Sequence, residues 1–194
     1  MAQKLIDSHG RRMKKLRLNL LDACNMRCMY CMPEDQKFKK LNELLPPSEM
    51  GRIVENLTSF GIEEVRLTGG EPLMHPQFRE IVETISKCNL KKLAITTNAI
   101  LLEDNLNFLK KINVTNLNIS FDSLNKSTFE FISKTDTFEK VYSAIMKSIE
   151  MGFKIKLNTV MLKNINFEEV EELLEFSAKH NVEVRFLELM QIGH

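Results

Sequence analysis

The sequence predicts an α/β fold built on a parallel sheet, and three observations support this prediction. Six runs of residues show the alternation of β-strands, and runs with helical spacing separate them along the whole chain. Each connection is long enough for the helical crossover that a parallel strand pair requires. Glycine follows two of the helical runs, as is common at helix ends. Because such crossovers wind right-handed, an open doubly wound sheet and a partial barrel both satisfy the pattern.

The first half of the chain predicts three strands and two helices. In the first strand, Leu16, Leu18 and Leu20 lie on one face, whereas Arg17 and Asn19 lie on the other. A polar face on the sheet is therefore predicted from the start of the chain. The predicted strands are residues 15–21, 63–68 and 91–97, and the predicted helices are residues 46–61, ending at Gly61, and residues 76–88, opening at Pro76.

The second half repeats this alternation. Asn166 followed by Glu169 resembles a capping box, in which the two side chains satisfy backbone groups at a helix start. The predicted strands are residues 116–120, 154–160 and 182–189, and the predicted helices are about residues 103–111, about residues 137–150 and one that follows the capping box.

Polar residues gather where the predicted strands end. In parallel β/α barrels the carboxyl ends of the strands form the site, so this clustering favours a curved sheet that faces one pocket. Taken singly, each residue could be an ordinary turn residue. The set comprises Thr68, Thr96, Thr97, Ser120, Asp122, Asn158 and Glu188.

Composition excludes several classes of protein. With 43% hydrophobic and 27% charged residues, the 194-residue chain can bury one sizeable core and is expected to form one domain. A net charge of +1 gives no reason to expect a nucleic-acid partner. The basic run GRRMKKLR leads into a strand without a long apolar stretch, which argues against a signal peptide or membrane anchor. Three clustered cysteines and one distant cysteine suit metal chemistry in a reducing cytoplasm.

The cysteine cluster is the most specific signal in the chain. Cys24, Cys28 and Cys31 lie within eight positions in the stretch LDACNMRCMYCMPED. Structural zinc needs four protein ligands, so Cys88 or a distant histidine would have to complete its tetrahedron. A four-iron, four-sulfur cluster held by three cysteines leaves one iron open to an exchangeable ligand. The spacing C-x-x-x-C-x-x-C after a first strand favours the cluster, with zinc as the alternative.

Two motifs resemble those of the radical S-adenosylmethionine (SAM) superfamily. The stretch CNMRCMYC resembles its cysteine signature, and LTGGEPL, one β/α step later, resembles its glycine motif. The resemblance implies a partial six-stranded β/α barrel and a [4Fe–4S] cluster whose open iron is chelated by the amino and carboxylate groups of SAM. It also implies that the glycine motif contacts the SAM amino group.

Longer strings resemble the GTP 3′,8-cyclases of molybdenum cofactor biosynthesis. They are LRLNLLDACNMRCMYCMPED, EEVRLTGGEPL, AITTNAILL, LNISFDSL, IKLNTVMLKN and VRFLELMQIG. This resemblance implies reductive cleavage of SAM to a radical that abstracts hydrogen from the ribose C3′ of GTP. The carbon radical then attacks guanine C8, which is the first step towards molybdopterin.

The same resemblance implies a set of site residues and partners. The substrate would be GTP, a reductant protein would supply electrons, and a homodimer is allowed. By motif, the cluster ligands would be Cys24, Cys28 and Cys31, the SAM contacts Tyr30, Gly70, Ser120 and Met190, and the GTP contacts Arg17, Arg66, Thr97 and Lys156.

Two departures from the family pattern stand out. Ala99 replaces the usual glycine of a Thr-Thr-Asn-Gly motif, so a left-handed backbone there would be strained. The family continues beyond the sixth strand into a portion that holds a second [4Fe–4S] cluster, and this chain of residues 1–194 contains no such cysteines. We therefore expect a radical SAM core domain truncated after the sixth strand, with apolar groups of that strand exposed.

Two rival functions remain open at the level of sequence. One is a different radical SAM enzyme, such as one that modifies a peptide, and the cations Arg17, Arg66 and Lys156 disfavour it. The other is a zinc-stabilised interaction module without enzymatic activity, which would be colourless where an iron–sulfur protein is brown. Outside the motifs, Cys88 is interpreted as a small buried residue and His75 as a surface residue.

Overall fold

The computed structural model describes residues 4–33 and 35–189. Six strands form one sheet in chain order, and the pairs β1–β2, β2–β3 and β5–β6 are parallel in register. The order leaves β1 and β6 as edges, so the sheet is open, as a partial barrel requires. The strands are β1 Lys15–Asn19, β2 Glu64–Thr68, β3 Lys92–Thr97, β4 Asn116–Ser120, β5 Lys154–Met161 and β6 Glu183–Glu188.

At least one helix follows each of the first five strands, as the crossover argument predicts. The α-helices are α1 Pro47–Ser59, α2 Phe78–Ser86, α3 Leu106–Lys111, α4 Lys126–Ser133, α5 Phe138–Glu150 and α6 Val170–His180. Single 3₁₀ turns lie at Leu41–Glu43, Pro72–Met74, Glu103–Asn105 and Phe167–Glu169. Within the described part of the chain, no helix has both the length and the apolar character needed to cross a bilayer.

The chain divides into two compact units. The first takes the residues up to Cys24, then Phe38–Thr96 and Asn105–Asn116. Its core lies between the sheet and helices α1 and α2, and the side chains of Val54, Leu67 and Ile81 are fully buried there. The two helices approach closely at Gly51, where an added Cβ would lie 2.4 Å from Thr84 Cγ2. Glycine at this position therefore permits the helix contact.

The second unit takes Asn25–Lys37, Thr97–Asp104 and the residues from Leu117 onward. An aromatic cluster fills part of its core. The ring of Phe121, just after β4, lies 5.6 Å from that of Phe129 on α4 and 6.1 Å from that of Phe138 on α5. These ring contacts, together with Tyr142 stacked on Phe138 at 5.8 Å, fix α4 and α5 against the strand end.

Helix α4 is absent from the sequence-based prediction. Its N-cap is Asn125, whose side-chain oxygen accepts hydrogen bonds from the backbone N–H groups of Ser127 and Thr128. The buried residues Phe129 and Ile132 provide the helical spacing. The signal of cap and spacing was present, but only eight residues are helical, which leaves little periodicity to detect.

Three predicted helix starts differ from the structure. Helix α2 begins at Phe78 rather than at Pro76, and helix α3 begins at Leu106 rather than at about residue 103, after a 3₁₀ turn. The predicted capping box is wrong, since Asn166 makes no side-chain cap. Its buried side chain instead accepts a hydrogen bond from Leu162 N and donates to Asp122 O and Val160 O. Asn166 therefore links the segment that follows β4 to the C-terminal end of β5 and the residue after it.

The burial of two residues differs from the prediction, since His75 is more buried than expected and Cys88 is less buried. His75 is only 4% exposed, so its interpretation as a surface residue is wrong. Its Nδ1 accepts a hydrogen bond from Gln77 N, and burial lowers the pKa of the imidazole. Cys88, expected to be buried, is half-buried, and burial raises the pKa of its thiol.

Candidate functional site

The start of the cysteine loop is held against the glycine turn within the first unit. Gly70 N donates to Leu21 O and Glu71 N donates to Ala23 O, each at 2.8 Å. An added Cβ at Gly70 would lie 2.2 Å from Ala23 O and 2.4 Å from Asp22 O. Backbone carbonyls cannot give way as a flexible side chain can, so only glycine fits at position 70. The glycine motif therefore has a packing role beside the predicted SAM contact.

Glu71 of the same motif is fully buried. Its carboxylate accepts a hydrogen bond of 3.0 Å from Leu73 N and so caps the 3₁₀ turn Pro72–Met74. This local capping bond stabilises the turn that carries the motif.

Two arginines lie side by side on the sheet in the first unit. Arg17 on β1 and Arg66 on β2 are direct register partners, and Arg66 is in turn the partner of Ala94 on β3. Arg17 is exposed, while its neighbours Leu16 and Leu18 are half-buried, which confirms the predicted alternation along β1. The register places both arginines on the same face of the sheet, and guanidinium groups are well suited to donate hydrogen bonds to an anion.

The rest of the cysteine loop is held by backbone bonds within the second unit. Arg27 N donates to Ser133 O and Met29 N donates to Ile132 O, each at 3.0 Å. Both carbonyls lie at the C-terminal end of α4, where helical carbonyls lack partners within the helix. The loop thus satisfies groups that α4 leaves open, and Cys28 lies between the two bonds.

A partly buried side-chain contact joins the same loop to the segment just after β4. The Tyr30 hydroxyl donates to Asp122 Oδ2 at 2.7 Å, and Val160 N donates to Asp122 Oδ1 at 2.8 Å. Burial raises the pKa of Asp122, opposed by these two hydrogen bonds, which stabilise the carboxylate. Burial and then the Asp122 charge raise the pKa of Tyr30, so the phenol stays a hydrogen-bond donor.

None of the three clustered cysteines forms a disulfide. Cys24 and Cys28 are half-buried and Cys31 is exposed. Cys31 N donates to Cys28 O at 2.9 Å, which closes a turn between the two residues. Partial burial, followed by the nearby Asp122 carboxylate, raises the pKa of the Cys31 thiol.

These thiols fit an iron–sulfur cluster by their donor chemistry, since clusters are held by cysteine thiolates. Within residues 4–33 and 35–189, no three histidine, cysteine, aspartate or glutamate side chains are placed where they could jointly hold a metal ion. Binding of a cluster would therefore have to bring its cysteine ligands into position.

The turn after β3 provides a further contact to the cysteine loop. Asn98 Nδ2 donates to Asn25 Oδ1 at 2.7 Å, and Asn98 Oδ1 accepts from Ile100 N. Thr97 is buried, and its hydroxyl oxygen accepts from Ala99 N at 3.0 Å. Sequence reasoning missed Asn25 and Asn98, although both lie within the motifs that carry the family resemblance.

The remaining predicted site residues differ in their surroundings. Ser120 is half-buried at the end of β4. Lys156 is half-buried on β5 and forms an ion pair with its register partner Glu183 on β6, which also accepts a hydrogen bond from Arg185. Lys156 is therefore neutralised by a carboxylate in this structure. The predicted contact Met190 lies outside the described residues.

Each unit thus brings together a part of the predicted site. The first unit carries Arg17, Cys24, Arg66 and Gly70, and the second carries Cys28, Tyr30, Cys31, Thr97, Ser120 and Lys156.

Comparison with known sequences identifies relatives along the whole chain. A protein of Synechocystis named GTP 3′,8-cyclase is 45% identical over 194 residues, which is 100% of this chain and 59% of that protein. A protein of Clostridium botulinum with the same name is 40% identical over 192 residues, covering 97% of this chain and 60% of that protein. The chain therefore spans about 60% of the length of these curated relatives.

Comparison with solved structures supports the fold. Streptococcus suis SuiB bound to S-adenosylmethionine superposes with a TM-score of 0.79 at 18% identity, covering 93% of this chain and 41% of that one. SuiB bound to the precursor peptide SuiA gives the same TM-score over 92% of this chain and 40% of that one. At this identity the likeness shows the shared fold alone.

The family profile described as the radical SAM superfamily matches residues 18–177, which is most of the chain. The match spans both the cysteine loop and the glycine motif, and it agrees with the open parallel sheet. It favours an iron–sulfur cluster over the zinc alternative. The chain belongs to the radical SAM superfamily.

Proposed function

We propose that this chain forms the radical SAM part of a GTP 3′,8-cyclase. The relatives that match along its whole length carry that name. The observation that carries the proposal in the structure is the register pairing of the exposed Arg17 on β1 with the half-buried Arg66 on β2. Two guanidinium groups on neighbouring strands suit a polyphosphate, because each can donate two parallel hydrogen bonds to phosphate oxygens.

In this proposal, Cys24, Cys28 and Cys31 hold the [4Fe–4S] cluster, and SAM binds near Gly70. When bound, the cluster would supply the electron that cleaves SAM reductively. The protein's task is to bind and orient both ligands and to exclude water. The close approach of the glycine turn to the carbonyls of Asp22 and Ala23 keeps the backbone compact where SAM would lie.

Lys156 would have a conditional role in this proposal. Its ammonium group is engaged by Glu183, so it can contact a phosphate only by sharing or exchanging that partner. The ion pair therefore keeps a cation in place on β5 when no nucleotide is bound. Thr97, whose hydroxyl oxygen accepts from Ala99 N, would be a further contact to GTP in this proposal.

Further proposals follow from the activity itself. Reductive cleavage needs an electron donor, which we propose is a reductant protein. Cysteines that form no disulfide suit a reducing cytoplasm. A second cluster, and a homodimer, would belong to the cyclase as a whole, which extends over more residues in the relatives.

The proposal is tested by nucleotide binding to the anaerobically reconstituted chain. Replacing Arg17 with alanine removes one guanidinium of the pair and should weaken GTP binding about tenfold, equal to about 1.4 kcal/mol. Arg52→Ala is the matched control, because Arg52 pairs with Glu49 on the exposed side of α1. Isothermal titration with GTP measures both variants beside the wild type.

A second readout separates GTP chemistry from peptide chemistry. Formation of 5′-deoxyadenosine from SAM and a reductant is compared with and without GTP. An unchanged GTP affinity in Arg17→Ala would remove this residue from the site. Absence of GTP binding by the wild-type chain, with SAM cleavage intact, would favour a radical SAM enzyme with another substrate.

A further inference from the structure

We propose that Asp122 is a positioning residue for the cysteine loop and that it acts through the Tyr30 hydroxyl. The family resemblance gives Tyr30 a contact to SAM, whereas its hydroxyl is already committed to a buried carboxylate. The inference rests on the proposed function only in taking Cys28 and Cys31 as cluster ligands.

Tyr30 occupies a position in the loop from which it can restrain two cysteines. Tyr30 lies between Cys28 and Cys31, and the turn between those cysteines is closed by the bond from Cys31 N to Cys28 O. A side chain anchored at this point restrains both thiols together. The Tyr30 hydroxyl reaches Asp122 across 92 positions of the sequence, so the anchor is a tertiary contact.

Asp122 is held in place by several hydrogen bonds. The residue is only 7% exposed, and each carboxylate oxygen has its own donor, Tyr30 on one side and Val160 N on the other. Its backbone carbonyl accepts from the fully buried side chain of Asn166. Asp122 is thus fixed at the end of β4 by groups that do not belong to the cysteine loop.

The hydrogen bond between Tyr30 and Asp122 is of a strong kind. A hydrogen bond from a phenol to a buried carboxylate is charge-assisted, and low polarity around it strengthens it. The neighbouring backbone bonds from Arg27 N and Met29 N hold the loop on both sides of Cys28. The Tyr30 to Asp122 bond holds the side that leads to Cys31, so the two sets restrain the thiols from both directions.

The matching experiment uses the only other tyrosine in the chain as its control. The composition includes two tyrosines, and Tyr142 lies in the aromatic cluster on α5. The variants are Tyr30→Phe, Asp122→Asn, the double variant and Tyr142→Phe. Each chain is reconstituted anaerobically with iron and sulfide, and its iron content is measured. The rate of loss of cluster absorbance is then followed after addition of an iron chelator.

We expect Tyr30→Phe to lose its cluster about tenfold faster than wild type, as the loss of one charge-assisted hydrogen bond implies. Asp122→Asn should behave like Tyr30→Phe, and the double variant should be no worse than the more affected single variant. Tyr142→Phe should match the wild type. Because Tyr30→Phe also removes this bond from the iron-free chain, its thermal midpoint should fall, so cluster loss is compared at a temperature at which all the variants are folded.

The SAM affinity of the cluster-loaded variants separates this inference from the alternative that Tyr30 contacts SAM directly. A normal rate of cluster loss in Tyr30→Phe together with weaker SAM binding would overturn the inference and restore the direct SAM contact. Additive effects in the double variant would also overturn it. If Asp122→Asn does not fold, Tyr30→Phe alone still decides between the two results. Failure of the wild-type chain to take up iron would instead overturn the cluster assignment itself, and the inference with it.

Discussion

Ala99 combines full burial with a backbone conformation that L-residues rarely adopt. Its φ is 66° and its side chain has no exposed surface. The turn that it closes carries Thr97 and Asn98, and Asn98 binds Asn25 of the cysteine loop. A left-handed backbone costs a non-glycine residue about 1–2 kcal/mol. The strain is therefore located in a turn that touches the candidate site.

Replacing Ala99 with valine should destabilise the chain by about 3 kcal/mol. The estimate adds the greater strain of a β-branched residue at positive φ to the cost of overpacking, which is about 1–3 kcal/mol in a filled core. The measurement is the free energy of unfolding of the iron-free chain, taken from urea denaturation.

The matched control is Ala99→Gly. Glycine relieves strain of about 1–2 kcal/mol but loses about 0.8 kcal/mol from one buried methyl group, so its net effect should stay within about 1 kcal/mol of the wild type. A valine variant as stable as the glycine variant would show that the turn can relax, contrary to the strain assigned here.

Residues also mark the limit of what the sequence could predict. The alternation that exposes Arg17 depends on its immediate neighbours, and so it was predictable. The contact between Tyr30 and Asp122 depends on a tertiary placement that no local pattern encodes. For the same reason, the ion pair of Lys156 with Glu183 appeared only once the register of β5 and β6 was known.

At the scale of elements, the strand ends of the second unit are joined by one buried amide. Asn166 donates to Asp122 O and Val160 O and accepts from Leu162 N, with distances of 2.7–2.9 Å. Its side chain therefore connects the segment after β4 to the end of β5 through hydrogen bonds. A capping box was predicted here because the local spacing allowed it. The Asn166 side chain instead forms hydrogen bonds with Asp122 O, Val160 O and Leu162 N.

Asn166→Ala should destabilise the chain by about 3 kcal/mol, because it leaves the buried Leu162 N–H, the buried Asp122 carbonyl and the partly buried Val160 carbonyl without this partner, at about 1–3 kcal/mol for each buried group. The free energy of unfolding from urea denaturation checks the value. Amide hydrogen exchange should also quicken at Leu162, whose N–H loses its acceptor.

The control for this change is Asn107→Ala. Asn107 is exposed on α3, and alanine has the higher helix propensity, so that variant should be neutral or slightly more stable. Equal losses of stability in the two variants would contradict the role assigned to Asn166.

Elements differed in how well the sequence foretold them. All six strands were predicted, because each has the length and alternation of a strand beside a long crossover. Helix α4 was missed because its eight residues show two buried apolar positions, too few to establish a period. The long helices α1 and α5 were predicted within two residues of their observed ends.

On the scale of the whole molecule, positive and negative charges nearly cancel. The 27 lysines and arginines face 26 aspartates and glutamates, which gives a net charge of +1. The field of the molecule as a whole therefore does little to attract an anion. Any electrostatic attraction for a nucleotide must therefore come from local groups of cations, and Arg17 and Arg66, which are register partners on neighbouring strands, form such a group.

This balance predicts how salt should act on nucleotide binding. Raising the ionic strength from about 0.1 M to about 1 M shortens the screening length from about 10 Å to about 3 Å, so an exposed arginine loses most of its attraction for phosphate. GTP affinity should fall by roughly tenfold over this range, whereas the affinity for guanosine, which lacks phosphate, should change little.

The Arg17→Ala variant completes the test. Without one of the paired guanidinium groups, its GTP affinity should start lower and depend less steeply on salt than that of the wild type, because fewer charges remain to be screened. Arg52→Ala should keep the wild-type slope, since Arg52 lies on α1 in an ion pair with Glu49. Titrations of all three chains at the two ionic strengths provide the comparison. Equal slopes in Arg17→Ala and the wild type would mean that the phosphates bind elsewhere on the molecule.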